Sequence, residues 1–106
     1  MDRQTVEWAA FQLKKDVSEQ ALLQASGELQ QNFLQKQPGF IRRELLKKSE
    51  GSYVDILWWK TRKYAEQASD KVMQHPACLG YFQLMDADLL NPSEALTYFL
   101  QVKTYP

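Results

Sequence analysis

Two side chains that could take part in catalysis, Trp59 and His75, lie at the ends of predicted secondary-structure elements. The Trp59 indole could stack on a flat substrate, although a tryptophan at a strand end also serves simply for packing. The His75 imidazole could act as a general base, because imidazoles ordinarily titrate near neutral pH. Beside Pro76 it could instead cap the C-terminus of a helix. Both residues are catalytic candidates with a structural alternative.

Three charged residues in the middle of the chain, Arg42, Glu44 and Asp55, could orient a polar group of a substrate. An ion pair at the seam between two subunits would explain the same residues. Cys78 has no basic neighbour in sequence other than His75, which favours a small buried hydrophobe over a reactive thiol.

The sequence lacks the motifs of metal, phosphate and nucleophile chemistry. One Cys and one His cannot build an ordinary structural zinc site, and neither a phosphate-binding loop nor a nucleophile triad is present. We therefore predict no metal and no cofactor.

Composition narrows the classes of partner. The chain has 106 residues, enough for one domain, and its 13 Lys and Arg balance 13 Asp and Glu, which argues against nucleic acid and anionic membranes as partners. No stretch approaches the ~18 apolar residues of a membrane span, and no signal peptide is evident. The single cysteine is typical of a reducing compartment, so we predict a cytoplasmic protein.

The elements that must position the candidate residues follow the order β-α-β-β-α-β. We predict strands, rich in β-branched and aromatic residues, over 5–13, 40–49, 52–60, 80–88 and 96–105. The first helix begins after Ser18 and ends before Pro38-Gly39; the second begins at Thr61 and ends at His75-Pro76. A helical turn is predicted over 91–94. One domain results, with a core over 5–88 and a C-terminal extension over 91–106.

The hairpin turn sorts the side chains of the central strands into two faces. A two-residue loop at Glu50-Gly51 would place Ser49 opposite Ser52 and Glu44 opposite Leu57. Alternation then predicts an apolar face beneath the helices, formed by Ile41, Leu45, Val54, Ile56 and Trp58. The second face carries Arg42, Glu44, Leu46, Tyr53, Asp55, Leu57 and Trp59.

The second face is predicted to be a subunit interface. Two right-handed βα crossovers place both helices on one side of the sheet, which leaves an apolar patch too large for a monomer on the other side. A second copy of the sheet would cover it and enclose a cavity on each protomer. With residues added from strands 1 and 4, the predicted substrate-binding cavity consists of Trp8, Gln12, Arg42, Glu44, Tyr53, Asp55, Leu57, Tyr81, Gln83 and Met85, beside Trp59.

Several short motifs together resemble the antibiotic-biosynthesis-monooxygenase-like domains of the dimeric α+β barrel superfamily. They are Gln37-Pro38-Gly39-Phe40 before the hairpin, Trp59-Lys60-Thr61 before an Ala-rich helix, His75-Pro76, and a last strand that ends near Asp86. The resemblance covers residues 5–88. It implies a ferredoxin-like antiparallel sheet and a homodimer whose two sheets form a barrel; the composition of residues 96–105 predicts an extra C-terminal strand beside it.

The resemblance also implies a range of activities. Characterised relatives include cofactor-free oxygenases of aromatic polyketides, haem-degrading oxygenases and small-metabolite isomerases, and Trp59 corresponds to the family tryptophan that opens the second helix. Haem-degrading members have an Asn on strand 1 and a His within the second helix, which this chain lacks. The predicted function is therefore cofactor-independent monooxygenation of a small aromatic or quinone-like metabolite. A non-catalytic small-molecule-binding homodimer and a purely structural homodimer are the alternatives.

Overall fold

A computed structural model describes residues 3–86 and 96–106. Its strands are β1 (Thr5–Gln12), β2 (Phe40–Ser49), β3 (Ser52–Trp59) and β4 (Leu96–Leu100), and its α-helices are α1 (Glu19–Asn32), α2 (Arg62–Ser69) and α3 (Pro76–Phe82). Short 3-10 turns follow α1 at Leu34–Lys36 and α2 at Val72–Gln74. The strands form one antiparallel sheet in the order β2-β3-β1-β4. The predicted α+β, ferredoxin-like class is confirmed.

Local signals in the sequence explain where the elements begin. The Ser18 hydroxyl accepts a hydrogen bond from the Ala21 amide at 3.1 Å, so it supplies a partner for one of the first amides of α1. The Thr61 hydroxyl does the same for α2 through the Tyr64 amide. Gly51 has a φ of 78°, the conformation that the tight turn between β2 and β3 requires.

The fourth strand, predicted over 80–88, is not a strand where the structure describes it, whereas the predicted C-terminal strand is present over Leu96–Leu100. His75-Pro76 begins α3 rather than ending a helix, because Pro76 occupies the first turn, where no amide is needed, and His75 Nδ1 accepts from the Ala77 amide at 3.1 Å. Residues 80–88 are therefore not a strand as far as they are described, and only Met85 forms an isolated bridge, to Leu13. The C-terminal segment supplies β4 instead, beside β1. The turn predicted over 91–94 lies outside the described residues.

The predicted pairing of the hairpin is also wrong beyond its turn. Ser49 lies opposite Ser52 as expected, but an irregularity between Lys47 and Ser49 shifts the rest of β2, so that Arg43, not Glu44, lies opposite Leu57. A bulge places two residues of one strand against one of the other, and it therefore changes which face of β2 lies beside which face of β3.

The assignment of the two faces of β3 was reversed. Its odd-numbered residues, Tyr53 to Trp59, lie beneath the helices in the hydrophobic core, and Trp59 is only 1% exposed. Its even-numbered residues lie on the side without helices. The prediction failed because Asp55 looked too polar for a core, whereas Arg43 pairs with it there. The predicted cavity on the far side of the sheet is therefore not what the fold builds around Trp59.

The side of the sheet without helices, here called the open face, is apolar. By strand alternation it carries Val6, Trp8, Leu46, Val54, Ile56, Trp58 and Phe99, together with Arg42 and Glu44. Trp8 is 39% exposed and Phe99 is 51% exposed, and their rings meet edge to face. The guanidinium of Arg42 lies 3.7 Å from the centre of the Trp58 ring and pairs with Glu44. No described helix is long and apolar enough to cross a membrane.

Replacement of Gly39 by alanine should destabilise the fold by more than about 1 kcal/mol. Gly39 has a φ of 79°, and an added Cβ would lie 2.3 Å from Cγ of Tyr64 at the start of α2. The matched control is Gly27→Ala at an exposed position of α1, where an added Cβ would have no other atom within 4 Å. This substitution should stabilise the folded protein by about 0.5–1 kcal/mol. Urea unfolding of the three proteins measures both changes, and equal effects of the two substitutions would contradict this account.

Candidate active site

A cavity of about 260 Å³ lies between the helix-covered face of the sheet and the helices. Its wall is mostly apolar, with contributions from every described strand and helix. The residues that line it are Glu7, Ala9, Ala10, Phe11, Leu29, Phe33, Leu34, Arg43, Asp55, Leu57, Trp59, Ala65, Ala68, Ser69, Val72, Tyr81, Phe82, Met85 and Leu96. An apolar cavity with a few convergent polar groups is the usual form of a small-molecule site.

Small residues of α2 leave room for this cavity. Ala65 and Ala68 are buried on the inner side of the helix, and they stand over a sheet whose largest inward side chain is Trp59. The Trp59 ring is held edge to face by Phe40, its partner on β2. Larger side chains on the inner turn of α2 would fill the space, so the Ala-rich pattern of this helix is what keeps the cavity open.

Glu7 is an acidic residue of the cavity wall whose pKa is strongly raised. It lies on β1 between Leu57 and Tyr98, and its Oε1 accepts a hydrogen bond from Trp59 Nε1 at 3.1 Å. Burial raises the pKa of Glu7 to about 7; the Trp59 bond lowers this pKa, and the charge of Asp55 raises it. A carboxyl group that titrates near neutral pH can both accept and return a proton there.

A second polar group, here called the arginine network, consists of Arg43, Asp55 and Tyr81. Arg43 Nε donates to Asp55 Oδ1 at 2.8 Å, and the Tyr81 hydroxyl donates to Asp55 Oδ2 at 2.6 Å. Arg43 also donates to the Tyr81 oxygen and to the backbone carbonyl of Ser26, each at 3.1 Å. The Arg43 and Asp55 side chains are only 6% and 7% exposed.

The charges in this network stabilise one another. Burial opposes the cation, but Asp55 and Tyr81 outweigh it and raise the pKa of the Arg43 guanidinium above its ordinary value. Burial, then the charge of Asp55, raises the pKa of the Tyr81 hydroxyl well above its usual range. At neutral pH the network therefore holds a cation, an anion and a neutral phenol. Its charge is balanced, whereas no salt bridge reaches Glu7 within residues 3–86 and 96–106.

Strand pairing places the two polar groups in one row across the sheet. Glu7 lies opposite Leu57, and Leu57 lies opposite Arg43. Since neighbouring strands are about 4.8 Å apart, the backbones at Glu7 and Arg43 are separated by roughly 10 Å, with the apolar Leu57 between them. The cavity therefore has a proton-accepting end, an apolar floor and a hydrogen-bonding end.

The predicted cavity residues are divided between the two sides of the sheet. Asp55, Leu57, Trp59, Tyr81 and Met85 do line a common cavity, but it lies beneath the helices. Four others, Trp8, Gln12, Arg42 and Glu44, fall on the open face by strand alternation. Two remain: Tyr53 is buried on the helix side without lining the cavity, and Gln83 is exposed at the end of α3.

His75 and Cys78 have structural roles in the described chain. His75 uses Nδ1 to cap α3 and packs its ring edge to face against Phe33. It caps the start of a helix, not the predicted end. Cys78 is fully buried, and burial raises the pKa of its thiol to about 11, so the prediction of a small buried hydrophobe agrees with the structure. No group of three metal-ligating side chains occurs within the described residues.

The sequence interpretation missed Glu7, Arg43 and Ser69 as cavity residues. Glu7 is the one charged residue of β1, and it alternates with Thr5 and Phe11, which the structure shows to be buried on the same side of the sheet. Arg43 was missed because the assumed register, without the irregularity between Lys47 and Ser49, placed it opposite Trp58 and away from Asp55. For Ser69, which follows Ala68 at the end of α2, no sequence signal was available.

Glu7 should make the protein less stable as the pH rises. Its pKa in the folded state is about 7 and its ordinary value is 4.5. The folded form therefore binds the proton more tightly, and the stabilisation present below pH 4.5 is lost as the pH rises through 7, by about 3 kcal/mol at most. Chemical unfolding of wild type and Glu7→Gln from pH 4 to pH 8 tests this. The free energy of unfolding of Glu7→Gln should increase relative to that of wild type as the pH rises. A difference between the two that does not change with pH would contradict the raised pKa.

Comparisons with known proteins identify the fold. Neither the family models nor the curated proteins contain a match to this sequence. Among solved structures, the chain is similar to SnoaB, a cofactor-independent oxygenase from Streptomyces nogalater, with a TM-score of 0.69 and 17% identity over 98% of this chain and 96% of that one.

Two further structures agree in fold and differ in described activity. One is a candidate antibiotic biosynthesis monooxygenase from Nitrosomonas europaea, with a TM-score of 0.63 and 19% identity over 100% of this chain and 95% of that one. The other is a haem-degrading protein from Mycobacterium tuberculosis, with a TM-score of 0.61 and 14% identity over 100% and 99% of the two chains. The chain has the fold of the antibiotic-biosynthesis-monooxygenase-like domains.

Proposed function

We propose that the protein is a cofactor-independent monooxygenase that oxidises a small phenolic aromatic compound in the cavity beneath its helices. The observation that carries the proposal is Glu7: a carboxyl group with a pKa of about 7, hydrogen-bonded by Trp59, in an otherwise apolar space. Oxygenation without a cofactor requires the substrate itself to reduce oxygen, and a phenol becomes a far better electron donor once it loses its proton. Glu7 is the base that would remove it.

The reaction balances without any other reductant. Glu7 takes the hydroxyl proton, and the phenolate passes an electron to O₂. The radical pair joins at a ring carbon next to the hydroxyl, within reach of the same carboxyl, and Glu7 returns its proton to the new peroxide. Loss of the C–H proton of that carbon to Glu7 then breaks the O–O bond and forms a second carbonyl, and the departing hydroxide takes the proton back from Glu7 and leaves as water. One phenol and one O₂ give one quinone and one water.

The cavity also limits the size of the substrate. About 150 Å³ is enough to admit benzene, whereas sites for drug-sized ligands hold ~300–1,000 Å³. A cavity of about 260 Å³ suits a compound of one or two rings better than a haem. Haem degradation is further disfavoured because His75 is already engaged as a helix cap.

Glu7→Gln should lower oxidation of a dihydroxynaphthalene by roughly 100-fold or more, because the amide accepts the Trp59 bond but not the proton. In the wild type the rate should rise with pH through about 7, as the base ionises. An oxygen electrode and the absorbance of the quinone measure the reaction. Glu50→Gln, at an exposed hairpin position, is the control and should match wild type. Binding without turnover, or turnover without oxygen uptake, would contradict the proposed activity.

We further propose that two chains associate through their open faces. The rings of Trp8 and Phe99 are exposed on that face beside other apolar side chains, and an exposed apolar patch commonly marks an interface. A second copy is the fitting occupant, because a twofold pairing sets the same apolar patch of each chain against the other, and Arg42 and Glu44 already neutralise each other within each chain. The cavity beneath the helices would then occur twice in the dimer.

Sedimentation should find a particle of about twice the 12.4 kDa chain mass at micromolar concentration. Trp8→Glu introduces a charge into the open face and should reduce the mass to that of one chain. Leu23→Glu, at a position of α1 that is 57% exposed, is the matched control and should leave the dimer intact. A wild-type particle of 12.4 kDa, or dissociation by the control alone, would contradict pairing through this face.

A further inference from the structure

We infer that the arginine network selects the substrate: it binds a second oxygen substituent, at the end of the ring system away from the hydroxyl that Glu7 deprotonates. The inference rests on the proposed function and narrows its substrate class to aromatic compounds with two oxygen groups separated by an apolar ring. A ring with a single hydroxyl would make no hydrogen bond at that end of the cavity.

The position of the network supports this role. Arg43, Asp55 and Tyr81 all line the cavity, so the ion pair forms part of its wall. Arg43 lies in the same row as Glu7, two strands away, with Leu57 between them. A flat ring placed over Leu57 would present opposite ends to the two polar groups.

The chemistry of the network suits a neutral or partly negative oxygen. A guanidinium carries five N–H donors, and the described hydrogen bonds of Arg43 use its Nε, one to Ser26 from Nη1, and one to Tyr81 from Nη2. Asp55 already balances the charge of Arg43, so the site does not demand an anion. When Glu7 removes a proton from the distant hydroxyl, negative charge spreads over the ring carbons, and the cation at the other end of the cavity would stabilise it.

Purely structural packing is the alternative for the network. A buried ion pair that only joined elements would not distinguish a ligand with two oxygens from one with a single oxygen. Discrimination between two such ligands is therefore the property that separates the two roles, because a site built to bond an oxygen strongly rejects the analogue that lacks it.

The experiment compares the dissociation constants of a dihydroxynaphthalene and of naphthol, measured by calorimetry under anaerobic conditions. Wild type should bind the dihydroxy compound about 10-fold or more tightly, since a hydrogen bond to a charged group is involved. Tyr81→Phe and Arg43→Lys should each reduce this preference to near unity. The control is Tyr53→Phe, whose hydroxyl bonds Glu19 at 2.7 Å outside the cavity lining and which should keep the preference.

The outcomes separate this inference from the proposed activity. Selective binding that Glu7→Gln retains while oxidation is lost supports both. Selective binding without any oxygen uptake supports the inference and overturns the monooxygenase. Equal binding of the two compounds, or a preference that survives both network variants, overturns the inference even if both compounds are oxidised. Near-ultraviolet circular dichroism shows whether each variant is folded, and if Tyr81→Phe is unfolded, the test rests on Arg43→Lys. If the wild type binds neither compound, both the inference and the proposed activity are overturned.

Discussion

The buried ion pair between Arg43 and Asp55 joins the parts of this domain that have to stay together. It links β2 to β3, and through Ser26 and Tyr81 it reaches α1 and α3. Both side chains are almost withdrawn from water, so neither charge can be buried without the other; removal of one partner of such a pair typically costs about 3–5 kcal/mol. The pair therefore allows Asp55 to lie beneath the helices together with Tyr53, Leu57 and Trp59, where the cavity is.

Glu7 differs from this pair because its charge is not balanced. The described part of the chain provides Glu7 with the Trp59 indole as a hydrogen-bond donor but with no cation, and its raised pKa records the free energy that burial of the charged form would cost. An apolar residue would suit the same position better if packing were its only purpose. One apolar cavity thus contains an ion pair, Arg43 with Asp55, and a carboxyl group without a cation, Glu7. This combination is characteristic of sites that hold a ligand and move a proton.

Much of the fold could be predicted from the sequence, because it depends on local signals. Ser18, Thr61 and Gly51 mark their helix starts and turn by chemistry that acts over a few residues. The errors arose where a distant residue decided the outcome. A strand with Asp55 appears unsuited to a core until Arg43 is known to pair with it. The irregularity between Lys47 and Ser49 moves Arg43 from the position opposite Trp58 to the position opposite Leu57. Residues 80–86 have strand-like composition, but Pro76 at a helix start overrides it.

The same reasons limited prediction of the site. Trp59, Asp55 and Tyr81 were named from the assumed strand faces and do line a cavity, although it lies on the other side of the sheet. Glu7 was overlooked because a single charged residue in a strand is ordinarily exposed. The most direct measurement of the central claim is an NMR titration of the Glu7 carboxyl carbon, assigned by its absence in Glu7→Gln. A midpoint near pH 7 is what a buried proton-accepting carboxyl requires. A midpoint near 4.5, the ordinary value, would show that Glu7 is solvated and would remove the base on which the proposed oxygenation depends.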